Sequence, residues 1–271
     1  MPHLEDFFTH GDHTNLCTGS INALDDVKFS HREDDDHHGV KNSGVLYLYG
    51  PKQAGQTSLL LQFGFTQVQA GKNVVLIMCG EAGVSQKPMA SDIVPLTPCS
   101  ACNQPVQTGA NNSIWRRITI KYLRNNAELQ RYLCSFHGMD TKNPSVLLID
   151  GFEQFFATLE HNSDMGNVYQ TLAFLLEAQD YMKISTGFGM TVVTGHWDAF
   201  VLGNRPLLRR WCRFVELVSS EEEPNVFIMR EGVEEKDVHV DKEVARTQVK
   251  YMFAPETSGT FQLLHVQTRS E

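Results

Sequence analysis

The chain has 271 residues, of which 41% are hydrophobic, and this composition is typical of a folded protein with one large domain or two small ones. So large an apolar fraction excludes an intrinsically disordered chain. The formal net charge of −9 excludes a protein coated over its whole surface by nucleic acid.

The first 42 residues are polar and acidic, with nine acidic side chains against three basic ones. We predict a flexible leader over residues 1–42, with one short ordered piece at 21–29, and a single domain over residues 43–271. A His- and Asp-rich run at 31–39 has groups that chelate metals, but such charged blocks are usually solvated. No signal peptide is recognisable, and no stretch approaches the roughly 20 apolar residues that span a bilayer.

The most informative motif joins the first predicted strand to the first predicted helix. Residues 50–58 read Gly-Pro-Lys-Gln-Ala-Gly-Gln-Thr-Ser and follow the apolar run 45–49. This order of strand, Gly-rich loop and helix is that of the phosphate-binding motif G-x-x-x-x-G-K-[ST], in which loop amides and the helix N-terminus surround a polyphosphate. Thr57 stands where a hydroxyl meets magnesium. The predicted nucleotide-binding residues are Gly50, Lys52, Gly55, Gln56, Thr57 and Ser58.

Gln56 occupies the lysine position of this motif. A lysine there reaches the β- and γ-phosphates and stabilises charge in the transition state. Loss of one such electrostatic donor typically lowers the rate by on the order of 10²–10³. The sequence therefore predicts binding of ATP and magnesium without efficient hydrolysis. Two alternatives stay open: an active ATPase in which Lys52 replaces the missing lysine, and a phosphate loop kept only as a structural relic.

Along the rest of the chain, apolar runs first alternate with helical patterns and then give way to strands alone. The alternation predicts an α/β fold with a mostly parallel central sheet and helices on both faces. From about residue 213 the pattern predicts antiparallel hairpins that extend the sheet. Residues 80–113 are predicted as a surface excursion. The predicted strands are 45–49, 74–78, 115–122, 146–150, 190–194, 213–218, 225–230, 247–253 and 261–267, and the predicted helices are 57–70, 126–137 and 168–185.

Two carboxylates follow predicted strands. Asp150 ends the apolar run 146–150, an arrangement that holds magnesium beside the β- and γ-phosphates, and the alternative for this residue is a helix N-cap. Glu81 follows the run 74–78, where a carboxylate can orient an attacking water, and the alternative is an ordinary surface glutamate.

Residues 195–211 contain two Trp, one Phe and three Arg. This mixture provides stacking surfaces and phosphate contacts for single-stranded nucleic acid, and it equally suits a protein interface. The predicted DNA-binding residues are Trp197, Arg205, Arg209 and Arg210. A second basic patch is predicted from Arg116, Arg117, Lys121 and Arg124.

The six cysteines are irregularly spaced and are expected to be reduced thiols, as in the cytosol or nucleus. Cys99 and Cys102 have the spacing of half a zinc site, to which Cys134 and His137 could add the other half. Against this, Cys134 falls on a helical pattern that reads as core, where free cysteines are commonly buried. Zinc is therefore not expected.

Together these residues resemble the RecA-like recombinase paralogues, and most closely those of the Shu complex. The distinctive stretches are 117–122, 128–137 and 144–153, and the resemblance covers roughly residues 43–270. It implies a RecA-like P-loop NTPase core in a nuclear protein of DNA repair. Such proteins pair with a SWIM-domain zinc-finger protein, bind single-stranded DNA and assist recombinase assembly in homologous recombination.

The resemblance also assigns roles by position. Residues 50–57 match the Walker A loop, Asp150 the Walker B acid and Glu81 the catalytic glutamate. His196 matches the glutamine that senses the γ-phosphate, so Glu81, Asp150 and His196 are the implied catalytic residues. Residues 195–210 match the second DNA-binding loop. The chain departs from the family pattern at Gln56 and His196.

Overall fold

The computed structural model describes residues 4–8, 44–80, 115–138, 143–156, 164–196, 207–231, 246–255 and 259–269. Five of the predicted site residues lie outside these ranges, as do nearly all of the acidic segment 1–42 and of the excursion 80–113. These five site residues are Glu81, Cys99, Cys102, Trp197 and Arg205.

The described residues form a nine-stranded sheet. Its strands are β1 (Val45–Gly50), β2 (Val74–Cys79), β3 (Ile118–Leu123), β4 (Val146–Asp150), β5 (Met190–His196), β6 (Cys212–Ser219), β7 (Val226–Glu231), β8 (Arg246–Ala254) and β9 (Thr260–Arg269). They are ordered β3-β2-β4-β5-β1-β6-β7-β8-β9. The strands from β3 to β6 are parallel, and β7, β8 and β9 continue the sheet in antiparallel fashion.

Helices cover both faces of the parallel part. They are α1 (Gln56–Gln69), α2 (Asn126–Cys134) and α3 (Asp164–Thr186), with short 3-10 helices at Leu4–Phe7, Phe136–Gly138 and Phe152–Phe156. Side chains of β1 alternate between two cores: Leu46 and Leu48 pack with α1 on one face, and Tyr47 packs with α3 on the other. Parallel strands buried on both faces read as continuous apolar runs, which is why they could be recognised in the sequence. Among the described helices, none has the length and apolarity to cross a membrane.

The predicted α/β class, the largely parallel sheet and the C-terminal antiparallel strands are confirmed. Three boundaries differ from the prediction by three or four residues. Helix α3 begins at Asp164 rather than at Val168. Strand β3 begins at Ile118 rather than at Trp115, because the residues before it form a turn. Helix α2 ends at Cys134 rather than at His137, because the chain tightens into the 3-10 helix Phe136–Gly138.

A piece of the predicted leader belongs to the folded domain. Leu4, Phe7 and Phe8 are buried in the core beside α1. The ring of Phe7 lies 4.8 Å from that of Phe63 on α1, and the ring of Phe8 lies 5.5 Å from that of Tyr251 on β8, measured between centroids. Residues 4–8 therefore pack against both α1 and β8.

Candidate functional site

Three of the predicted site positions meet at one edge of the sheet. Strand β5 lies between β1 and β4, and all three strands run parallel. Gly50 at the end of β1 is in register with His196 at the end of β5, and Asp150 ends β4. Because parallel strands end at the same edge, residues that are far apart in the chain become neighbours there.

The Gly-rich loop turns sharply from β1 into α1. Gln53 and Gly55 have φ angles of 68° and 78°, in the left-handed region that favours glycine. The first helical hydrogen bond runs from the Leu59 amide to the Gly55 carbonyl oxygen over 2.9 Å. With glycine as its N-cap and no acidic residue in its first turn, α1 presents its amide dipoles to the loop. A helix start of this kind favours an anion.

Neighbouring strands hold the loop from outside. The Tyr251 hydroxyl on β8 donates a hydrogen bond to the Ala54 carbonyl oxygen over 2.8 Å. A Cβ atom at Gly55 would lie 2.6 Å from a ring carbon of Phe253, and one at Gly50 would lie 2.6 Å from Cβ of Leu217. Both motif glycines are therefore also required by packing.

Asp150 lies at the centre of a hydrogen-bonded group of hydroxyls. The Thr57 hydroxyl donates to its Oδ2 and the Thr194 hydroxyl to its Oδ1, each over 2.8 Å. The Gly151 amide donates to the Thr194 hydroxyl over 2.9 Å. Burial raises the pKa of Asp150, although the two hydroxyl bonds and the nearby His196 act in the opposite direction. A hydroxyl beside a carboxylate is a set of hard oxygen donors that suits Mg²⁺.

The side chain of Gln56 is hydrogen-bonded within the protein. Its residue is only 5% exposed, and its side-chain Nε2 donates to the Pro51 carbonyl oxygen over 2.8 Å. The same nitrogen lies 3.3 Å from Nδ1 of His196. Lys52 is exposed on the loop. The described loop therefore has one nearby cation, and its lysine position holds a neutral amide tied to the protein.

Arg209 and Arg210 do not join this group. They immediately precede β6, whose first residue Cys212 pairs with Val45 at the start of β1. They therefore lie at the amino edge of the parallel sheet, about 20 Å from the phosphate loop for a six-residue strand. Trp211 is partly buried and packs against the core on the α3 face.

Two of the four residues of the second basic patch bond to other parts of the fold. Arg124 is paired with Glu128 on α2. Arg117 donates to the Asn73 side chain over 3.2 Å and to the Gly71 carbonyl. Arg116 and Arg117 lie in a turn before β3, so their side chains do not follow the strand pattern in which neighbouring residues face opposite sides of the sheet.

The structure also corrects one cysteine. Cys134 is exposed on α2, although the helical pattern predicted it in the core. Cys212 is buried, and this burial raises the pKa of its thiol. The residues that the structure describes contain no cluster of three or more His, Cys, Asp or Glu side chains able to hold a metal ion, and Cys99 and Cys102 lie outside them.

Sequence reasoning missed four residues that shape the site: Thr194, Glu153, Tyr251 and Phe253. Thr194 was visible as a polar residue near the end of an apolar strand. The other three come from segments whose approach to the loop depends on sheet order. No protein-family model matches the chain, and no curated protein does either.

Proposed function

We propose that the chain is a RecA-like accessory protein of homologous recombination. In this proposal it binds single-stranded DNA and a SWIM-domain zinc-finger partner, promotes recombinase assembly, and binds ATP with magnesium without efficient hydrolysis. The partner, the DNA and the nuclear location are proposed from the resemblance of residues 117–153 to recombinase paralogues. The nucleotide part rests on the geometry of the loop.

The contact between Thr57 and Asp150 is the observation that carries the nucleotide proposal. It joins the start of α1 to the end of β4 across 93 residues of sequence. The hydroxyl and the carboxylate lie beside a helix N-terminus whose amides favour an anion. Magnesium held by these oxygens would lie next to the phosphates, which is the arrangement that phosphate-loop proteins use.

The lack of efficient hydrolysis is proposed from Gln56. Its amide carries no net charge, and it bonds to Pro51 and His196. An electrostatic donor to the γ-phosphate is therefore absent from the described lysine position, which should lower the rate by on the order of 10²–10³. An active ATPase would depend on Lys52, and loss of turnover in Lys52→Ala would identify it.

A second candidate function is a structural relic that stabilises its partner. The close packing of Leu217 on Gly50 and of Phe253 on Gly55 favours it, because packing alone explains both glycines. This candidate predicts no affinity for a nucleotide.

Binding of fluorescent ATP with magnesium tests the nucleotide site. We expect Thr57→Ala to lower the affinity by more than about tenfold, because a bond to a charged group contributes roughly 1.5–3 kcal/mol. Gln56→Lys should strengthen binding. Thr66→Ala is the matched control, since Thr66 is a buried threonine on the same helix that bonds to the Gln62 carbonyl oxygen. Absence of binding by wild type and by Gln56→Lys would favour the relic.

Recombinase loading tests the wider proposal. The purified chain, alone and with a SWIM-domain partner, should bind oligonucleotides of single-stranded DNA and speed recombinase assembly on them. The proposal is refuted if neither form binds the DNA or changes loading.

A further inference from the structure

The side chain of Gln56 has no donor left for a phosphate. A primary amide carries two N–H groups. One is directed to the Pro51 carbonyl oxygen at 2.8 Å and the other to Nδ1 of His196 at 3.3 Å. Both donors of this buried amide are therefore used inside the protein.

These two bonds decide which nitrogen of His196 carries the proton. The Gln56 nitrogen can only donate, so Nδ1 of His196 must accept. A neutral ring whose Nδ1 accepts has its proton on Nε2. Rotating the amide by half a turn would place its oxygen against the Pro51 carbonyl oxygen, which offers no hydrogen. Pro51 therefore sets the orientation of Gln56, and Gln56 sets the tautomer of His196.

Glu153 holds the other side of His196. Its Oε1 accepts a hydrogen bond from the His196 backbone amide over 3.2 Å and lies 4.0 Å from Nε2 of the ring. Glu153 itself is fixed by the short helix Phe152–Phe156, which is anchored by buried aromatic side chains. A carboxylate on the Nε2 side favours a proton on that nitrogen.

We propose that Gln56 and Glu153 are positioning residues that hold His196 as a neutral ring protonated on Nε2, and that Gln56 is not a phosphate ligand. The two positions at which the chain departs from the recombinase pattern are then bonded to each other. One consequence rests on the proposed nucleotide site: a polyphosphate there is bound by the loop amides and magnesium rather than by the side chain of Gln56.

The test is the ¹⁵N spectrum of the histidine rings in the ligand-free full chain, with His196 assigned by its loss in His196→Gln. Wild type should show a protonated Nε2 and an unprotonated Nδ1. Gln56→Leu removes the donor, so the proton should spread over both nitrogens and their two shifts should converge. Gln62→Leu is the control, because Gln62 is an equally buried glutamine on α1, and it should leave the spectrum unchanged.

Glu153 is tested by a pair of substitutions. Because the Gln56 donor remains, Glu153→Ala should move the two nitrogen shifts only part of the way towards each other. Glu153→Gln keeps an acceptor oxygen for the backbone bond and should restore most of the wild-type pattern. A wild-type proton on Nδ1, or equal spectra for Gln56→Leu and Gln62→Leu, would overturn the proposal. Because no nucleotide is present, failure to bind ATP would refute the nucleotide site and leave this result standing.

Discussion

Alanine at Gly55 should destabilise the protein for two reasons that can be measured separately. The φ angle of 78° is left-handed, and an L-residue there costs about 1–2 kcal/mol. The added Cβ would also lie 2.6 Å from a Phe253 ring carbon. Overpacking of this kind typically costs about 1–3 kcal/mol. We therefore expect Gly55→Ala to lower the free energy of unfolding by about 2–5 kcal/mol.

Gly71 is the matched control for the backbone contribution. Its φ angle is 85°, but a Cβ atom built there meets no other atom within 4 Å. Gly71→Ala should therefore cost only the conformational part, about 1–2 kcal/mol. The difference between the two variants, about 1–3 kcal/mol, measures how tightly Phe253 confines the loop.

Urea unfolding of the full chain gives these values. Adding Phe253→Leu to Gly55→Ala should recover part of the loss, because a smaller side chain makes room for the new methyl group. If Gly55→Ala and Gly71→Ala proved equal, or if Phe253→Leu brought no relief, β8 would not be confining the loop and the reasoning would be refuted.

Three further predictions concern the residues around the loop. Phe7→Ala should lower the free energy of unfolding by about 3–5 kcal/mol in urea, and no loss would contradict the packing of residues 4–8 against Phe63. Tyr251→Phe leaves the Ala54 carbonyl oxygen without its donor, so urea unfolding should show a loss of about 1–3 kcal/mol, whereas an unchanged midpoint would argue against that bond. Burial raises the pKa of Asp150, so the folded state keeps a proton on this carboxyl at a pH where the unfolded chain has released it. The stability that this bound proton contributes is lost as pH rises from the ordinary Asp range through the folded pKa. Asp150→Asn should therefore gain stability relative to wild type in urea as pH rises above about 4, and a difference independent of pH would be inconsistent with the raised pKa.

The elements could be predicted where burial leaves a continuous apolar run. The run 146–150 has the same bounds as β4. Prediction failed where a contact with a distant part of the chain determines the backbone conformation. At Trp115 the apolar pattern suggested a strand, but Arg117 reaches back to Gly71 and Asn73 and the chain turns there. Residues 4–8 are too few to show a period, so their packing could not be seen in the sequence.

The site could be predicted only in part, because register and sheet order are not visible in a local pattern. Thr57 and Asp150 were found since each belongs to a motif. Thr194 bonds to Asp150 because β5 lies between β4 and β1. Arg209 and Arg210 lie away from the phosphate loop for a related reason: a chain that leaves β5 must return to the amino edge of the sheet before it can begin the parallel β6. Residues late in that connection therefore had to lie far from the loop.

The glycines of the motif do not by themselves distinguish a working phosphate loop from a relic. Leu217 lies too close to Gly50, and Phe253 too close to Gly55, for a Cβ atom to fit at either position. The part of the motif that packing does not require is the hydroxyl of Thr57. Thr57 is only half-buried, and its bond to Asp150 is only partly buried. Valine at this position keeps the shape of the side chain and removes the donor. If Thr57→Val loses little stability but much nucleotide affinity, the hydroxyl contributes to ligand binding. If wild type has no affinity for a nucleotide, packing alone explains the two glycines.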